Sequence, residues 1–237
     1  MAEVPRCTEQ PTLDGGPRSH GSRTGMTSLD ATLRDLWTRL EALAVRHGAT
    51  LALAPALSED AIAAAEAKLG ASLPAGYRAS LALHDGQASF AGGGSGLPWM
   101  PGCGALAPLA KVLEQWAEVQ SLAADFPPPE ATEDEDRIRS GAYRARRIPI
   151  AGTPYWDGDT TYLDLDPGPA GTSGQLITLV TECDFVTLGP SFEAALARWV
   201  EALESGAWTV DAARGATHPA GVAPFQAHPA EQFAAGS

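Results

Sequence analysis

Residues 157–177, DGDTTYLDLDPGPAGTSGQLI, constrain the fold more than any other stretch of the chain. Gly158-Asp159 makes a turn, Thr161 to Leu165 suits a strand, Pro167 to Gly174 makes a long turn, and Gln175 to Val180 suits a second strand. Two short β-type runs joined by a Pro- and Gly-rich turn predict the centre of a β-hairpin. Four carboxylates, Asp157, Asp159, Asp164 and Asp166, fall within ten positions and have no basic residue beside them in the sequence. Such a group suits a metal site, an acid/base site, a protein-binding edge or plain turn chemistry. The partners each chemistry needs decide between them.

Around this hairpin the hydrophobic period is mostly helical. Leu33, Leu36, Trp37, Leu40, Leu43 and Ala44 recur every three or four residues, predicting an amphipathic helix that ends near Gly48. Ser58 is placed as an N-cap, with Glu59 and Asp60 at the positive end of a helix carrying Ile62, Ala65 and Leu69 up to Gly70. A third helix follows Leu73-Pro74, carries Tyr77 and Leu81 on one face, and is closed by Gly86. After the glycine-rich residues 91–104, Val112, Leu113, Trp116 and Val119 fit a helical face over 109–124. Short strands are then expected at 147–151, 161–165, 175–180 and 185–188, before a helix N-capped by Ser191 that buries Phe192, Leu196, Trp199, Val200 and Leu203. Helices, then strands, then a helix argue for an α+β fold rather than repeated βαβ units.

One domain is expected over residues 26–211, flanked by tails. Residues 1–25 lack an apolar period and residues 212–237 are rich in Ala, Gly, Pro and His, so both are expected to be disordered. Translation starts at Met1 or at Met26; intact mass separates the two. No apolar run approaches the ~20 residues a bilayer span needs, and no basic-then-apolar leader opens the chain. The expected location is cytoplasmic. Cys7, Cys103 and Cys183 lie far apart and suggest neither a disulfide framework nor a zinc site. A net charge of −13 disfavours nucleic acid and anionic lipid; it either serves solubility alone or has a basic protein as its natural complement.

The chemical motifs fail one by one. Gly92, Gly93, Gly94 and Gly96 lead into Leu97-Pro98, where a phosphate-binding loop needs Gly-Lys-Ser/Thr. Ser95 and Ser173 each lack one of the two glycines of a nucleophile elbow. His84, at a helix end, suits packing or carbonyl contact better than general-base work. Asp157-Gly-Asp159 lacks the further oxygen ligands and the Glu of a calcium loop. Asp164 and Asp166 share a strand face, a spacing that would suit a cation or glycoside cleavage, but no third polar partner accompanies them. The residues call for no metal and no cofactor. Trp37, Trp116 and Trp199 lie on helical apolar faces and are expected in the core. Trp99 and Trp156 lie in loops, which makes them interface candidates. The acidic run Glu133, Asp134, Glu135 and Asp136 lies in a long surface loop, and with Asp157 and Asp159 it completes the expected partner-binding set.

The segments LPAGYRASLALHDG (73–86), LAPLAKVLEQW (106–116), IPIAG (148–152), YLDLDPGPAGTSGQLI (162–177) and LGPSFEAALARWVEAL (188–203) occur in an order that resembles the SMI1/KNR4 family of the SUKH superfamily. The resemblance covers roughly residues 29–210. Asp85-Gly86 stands where the family often has Asn-Gly, and Arg146-Arg147 stands where it often has an aromatic residue. The resemblance implies a single α+β domain, a twisted mixed or antiparallel sheet backed by helices, acting as a non-catalytic binding scaffold. It implies structural roles for Leu73, Pro74, Tyr77, Leu81, Gly86, Asp164, Asp166, Pro167, Gly174, Ser191 and Phe192. Among bacterial relatives it implies an immunity protein that covers the active site of a toxin, of nuclease or deaminase class. The alternatives are a regulatory scaffold of cell-wall or other cellular processes and, further off, a hydrolase using the four aspartates with His84.

Overall fold

The computed structural model describes residues 28–91, 97–130, 136–180, 184–212, 216–223, 226 and 228–236. The expected segment 1–25 and the acidic residues Glu133, Asp134 and Glu135 lie outside them.

Three helices open the chain: α1 (Ser28–Arg46), α2 (Glu59–Leu69) and α3 (Ala75–Leu81). On α1 the predicted stripe from Leu33 to Ala44 is buried. The Ser58 hydroxyl accepts the Ala61 amide at the start of α2, and Gly70 takes the left-handed conformation at its end. The helix α3 stops at Leu81, five residues before Gly86, so Gly86 is not its terminator. Gly86 has φ +73°, and a Cβ there would come within 2.7 Å of the Ala107 backbone. Its role is a close backbone crossing that excludes any side chain. Beside it, the Asp85 carboxylate accepts the Leu109 amide at 2.7 Å. It caps α4 (Leu109–Asp125), whose own N-cap, Pro108, offers no side-chain acceptor.

The strands β1 (Ala105–Leu106), β2 (Arg147–Gly152), β3 (Thr161–Asp164), β4 (Gln175–Val180) and β5 (Asp184–Gly189) form one sheet in sequence order. Every pairing is antiparallel, so the sheet is not mixed. The predicted hairpin is β3 and β4, in register from Thr161↔Thr178 to Asp164↔Gln175. Alternation then sends Leu163 and Leu176 to one face and Tyr162 and Ile177 to the other. The first face belongs to the main core, with Phe192, Leu196 and Trp199 of α5 (Phe192–Glu204). Tyr77 of α3 meets Phe192 edge-on at 5.4 Å, and Leu73 and Leu81 are buried beside it. The Ser191 hydroxyl accepts the Ala194 amide, confirming the cap. On the second face, among the described residues, Tyr162 and Ile177 cluster with buried Val119 of α4, with Ile138, Leu179 and Phe185 around them.

The expected disordered tail from residue 212 does not fit the structure. The strands β6 (Trp208–Asp211) and β7 (Ala216–Pro219) pair antiparallel, and α6 (Pro229–Ala235) follows. Phe233 of α6 sets its ring edge-on to Trp199 at 5.9 Å and to Trp208 at 5.8 Å, and Ala230 is fully buried. A segment poor in apolar residues is ordered because its one described aromatic ring fills an aromatic corner of the core.

Candidate partner-binding groove

The four aspartates do not converge. Asp164 ends β3 and is fully buried. Its Oδ2 accepts from Gln175 Nε2 at 3.0 Å, its Oδ1 accepts the Asp166 amide at 3.2 Å, and Arg147 Nε approaches to 3.9 Å. Arg147, also fully buried, donates to the carbonyls of Gly141 and Arg139, and its guanidinium lies 4.4 Å over the Phe185 ring. Burial lowers the Arg147 pKa from its ordinary value, and the Asp164 charge works against that shift. Asp166 meets Arg139 Nε at 3.4 Å and Arg144 Nη1 at 3.3 Å. The basic counterweight missing from the local sequence thus comes from Arg139, Arg144 and Arg147. Asp136 is exposed, and its carbonyl accepts the Ala170 amide in the turn that begins at Pro167. The described end of the acidic run therefore belongs to this structural end of the hairpin. Gly174, at φ +87°, passes against Pro74 and returns the chain into β4.

The other end of β3 is built differently. A strand of four residues, roughly 13 Å long, separates Asp164 from the tip formed by Trp156 to Asp159. Trp156 adopts φ +54° and packs its ring at 5.3 Å from Phe90, against Gly152. The Thr153 hydroxyl donates to Asp157 Oδ1 at 2.6 Å and accepts the Asp157 amide at 3.3 Å, fixing an exposed carboxylate with a neutral partner. Asp159 Oδ2 lies 2.6 Å from His228 Nε2. The Ala230 amide donates to His228 Nδ1 at 3.2 Å, so the neutral imidazole carries its proton on Nε2 and donates it to Asp159.

Trp156, Asp157 and Asp159 line a groove of about 510 Å³ on the second face of the sheet. Tyr162 and Leu179 form its floor, Gln115, Val119 and Leu122 of α4 one wall, and Tyr143 with the tip the other. Burial pushes the Tyr162 phenol up to about 12, so it remains a neutral hydroxyl. The groove can accept a cationic side chain, since carboxylates stand at its rim and aromatic rings within it.

Three of the expected partner-binding residues meet here: Trp156, Asp157 and Asp159. Trp99 does not belong with them. It is fully buried and stacks on Phe192 with centroids 5.2 Å apart and planes at 14°. Its loop folds inward, which the loop's sequence gives no means of seeing. Trp116, expected in the core, is only half-buried and donates Nε1–H to the Ala145 carbonyl at 3.3 Å. His84 sets its ring edge-on to Trp37 at 5.9 Å. Among the described residues no three His, Cys, Asp or Glu side chains gather as a metal site requires. Sequence reasoning missed Gln115, Tyr143, Tyr162 and His228. Strand alternation carried the signal for Tyr162; nothing local singled out the other three.

Fold and groove together define an α+β module with an acidic, aromatic groove on one sheet face. The chain belongs to the SMI1/KNR4 family (SUKH-1), whose model matches residues 56–198. The match spans α2, the whole five-stranded sheet and the groove, and stops before β6, β7 and α6. No curated protein matches the chain. Membership supports an immunity-type or protein-binding module in general, in a family that is generally non-catalytic. No helix among the described residues is long and apolar enough to cross a membrane.

Proposed function

We propose that this chain is an immunity protein that neutralises a basic toxin domain, of nuclease or deaminase class, by seating the hairpin tip and its groove over the toxin's active site. One observation carries the reading: Trp156, Asp157 and Asp159 converge with Tyr143 and Tyr162 in a single groove, while the neighbouring Asp164 and Asp166 are consumed by arginines. Carboxylates on an exposed rim resemble the phosphates a nucleic-acid enzyme expects, and a net charge of −13 accelerates encounter with a basic partner. Trp156 supplies the aromatic anchor typical of interface centres. Co-expression with the product of an adjacent gene, if that gene encodes a basic toxin domain, tests the reading. Cell survival and a complex on gel filtration are expected; death at wild-type protein levels with no complex contradicts it.

A further inference from the structure

Among the described residues the large apolar side chains left exposed are Val45, Phe126, Tyr143 and Tyr155, and the three aromatic ones all stand by the acidic groove. Tyr143 lines it, and Tyr155 directly precedes Trp156 of the tip. Phe126 lies four residues beyond Leu122 and donates its backbone N–H to the Leu122 carbonyl at 2.8 Å, so it continues the stripe of α4 that forms the groove wall. Exposed apolar residues scattered singly need no explanation, whereas aromatic rings gathered at one groove mark a contact surface. The charge there is of one sign. No lysine or arginine lines the groove, and Glu118 and Asp125, both exposed, add carboxylates along the same side of α4. The Thr153 hydroxyl engages Oδ1 of the exposed Asp157, a neutral partner that leaves the charge uncompensated. The rings are spread along the groove: Trp156 packs on Phe90 at 5.3 Å and Tyr162 on Phe185 at 6.0 Å, not on one another. Separate ring faces beside a carboxylate suit a long side chain with a flat cation better than a compact ammonium. Arginine has that shape: its guanidinium is planar and weakly hydrated, stacks on aromatic faces and takes a carboxylate in two parallel bonds.

We propose that the groove is an arginine slot: it takes an arginine of the partner protein, whose guanidinium pairs with the Asp157 carboxylate while its plane and stem lie on the rings of Tyr143 and Trp156. The volume of about 510 Å³ exceeds one side chain, so flanking residues of the partner enter with it, between the outlying rings of Phe126 and Tyr155. The slot rests on the partner-binding reading of this groove and goes beyond it by naming the side chain recognised and Tyr143 as the residue that separates arginine from lysine.

The probe is a synthetic heptapeptide with a central arginine among glycines and serines and with blocked ends, beside counterparts carrying lysine or the neutral isostere citrulline, each titrated into the isotope-labelled full chain. Expected are saturable shifts of the groove amides with half-saturation on the order of 1 mM for arginine, about threefold weaker binding of lysine and about tenfold weaker binding of citrulline. Tyr143→Ala, at an exposed position, should erase the preference for arginine over lysine without moving the urea midpoint. Asp157→Asn should weaken both cationic peptides about tenfold and leave citrulline unmoved. The proposal is overturned if lysine or citrulline binds as tightly as arginine, if Tyr143→Ala keeps the preference, or if the groove amides do not shift at on the order of 10 mM arginine peptide. No toxin enters this assay, so the two readings fail separately. Absence of cell rescue with the arginine preference intact defeats the toxin reading alone, and rescue by a chain that shows no arginine preference defeats the slot alone.

Discussion

The two ends of β3 carry the same residue type and do opposite work. At Asp164 and Asp166 the carboxylates face Arg139, Arg144 and Arg147; at Asp157 and Asp159 they meet a threonine hydroxyl and a histidine ring beside an open groove. The difference lies in what the rest of the chain brings to each end. A carboxylate compensated inside the protein is structural, whereas one left at a rim keeps its field for a partner.

The largest effect separates the ends by stability. Asp164→Ala leaves the Arg147 guanidinium buried without its carboxylate and should cost about 3–5 kcal/mol in urea unfolding. Asp157→Ala, at an exposed position, should stay within about 0.5 kcal/mol. Equal costs would break the comparison. Phe233→Ala comes next, at about 3 kcal/mol, because it opens the corner between Trp199 and Trp208. Retained near-ultraviolet dichroism and an unchanged unfolding midpoint would show α6 to be dispensable.

Alkaline pH sharpens the picture from the groove floor. Burial raises the Tyr162 phenol and the Cys103 thiol each to about 12, above their unfolded values of 10.0 and 9.0. The unfolded chain therefore loses these protons first. Stability should be full below pH 9 and fall as pH rises from there through about 12. Tyr162→Phe should flatten that fall, as followed by the urea midpoint against pH. A smaller effect than these is expected of His228→Ala, about 1 kcal/mol, from losing the bond to Asp159 and the cap on Ala230.

Legibility in the sequence followed the range of the interactions. Ser58, Gly70 and Ser191 are caps whose chemistry closes within a few residues, and each appears where the sequence places it. The β3–β4 hairpin was equally local, and its predicted ends differ from the observed strands by one residue at most. Trp99 was misplaced because its partner, Phe192, lies far along the chain. The arginine cluster was invisible for the same reason: Arg139 to Arg147 reach Asp164 and Asp166 only once β2 and β3 are paired. Composition misled over the described residues 216–223 and 228–236, where Phe233, packed on tryptophans, outweighs the surrounding small residues. The acidic tip was legible as a candidate, but its groove was not, since α4 and Tyr143 come from distant segments.

The most direct test is titration calorimetry of the wild type and of Asp157→Lys/Asp159→Lys against a basic toxin domain from which the wild type rescues cells on co-expression, with urea unfolding of both proteins. The double variant should bind on the order of 100-fold more weakly, with a binding rate that is less salt-sensitive and a stability cost no greater than the about 1 kcal/mol of His228→Ala, whose bond to Asp159 it also removes. Undiminished affinity in the double variant, or a loss of affinity that merely tracks a loss of folding, would contradict the assignment of the hairpin tip to partner binding.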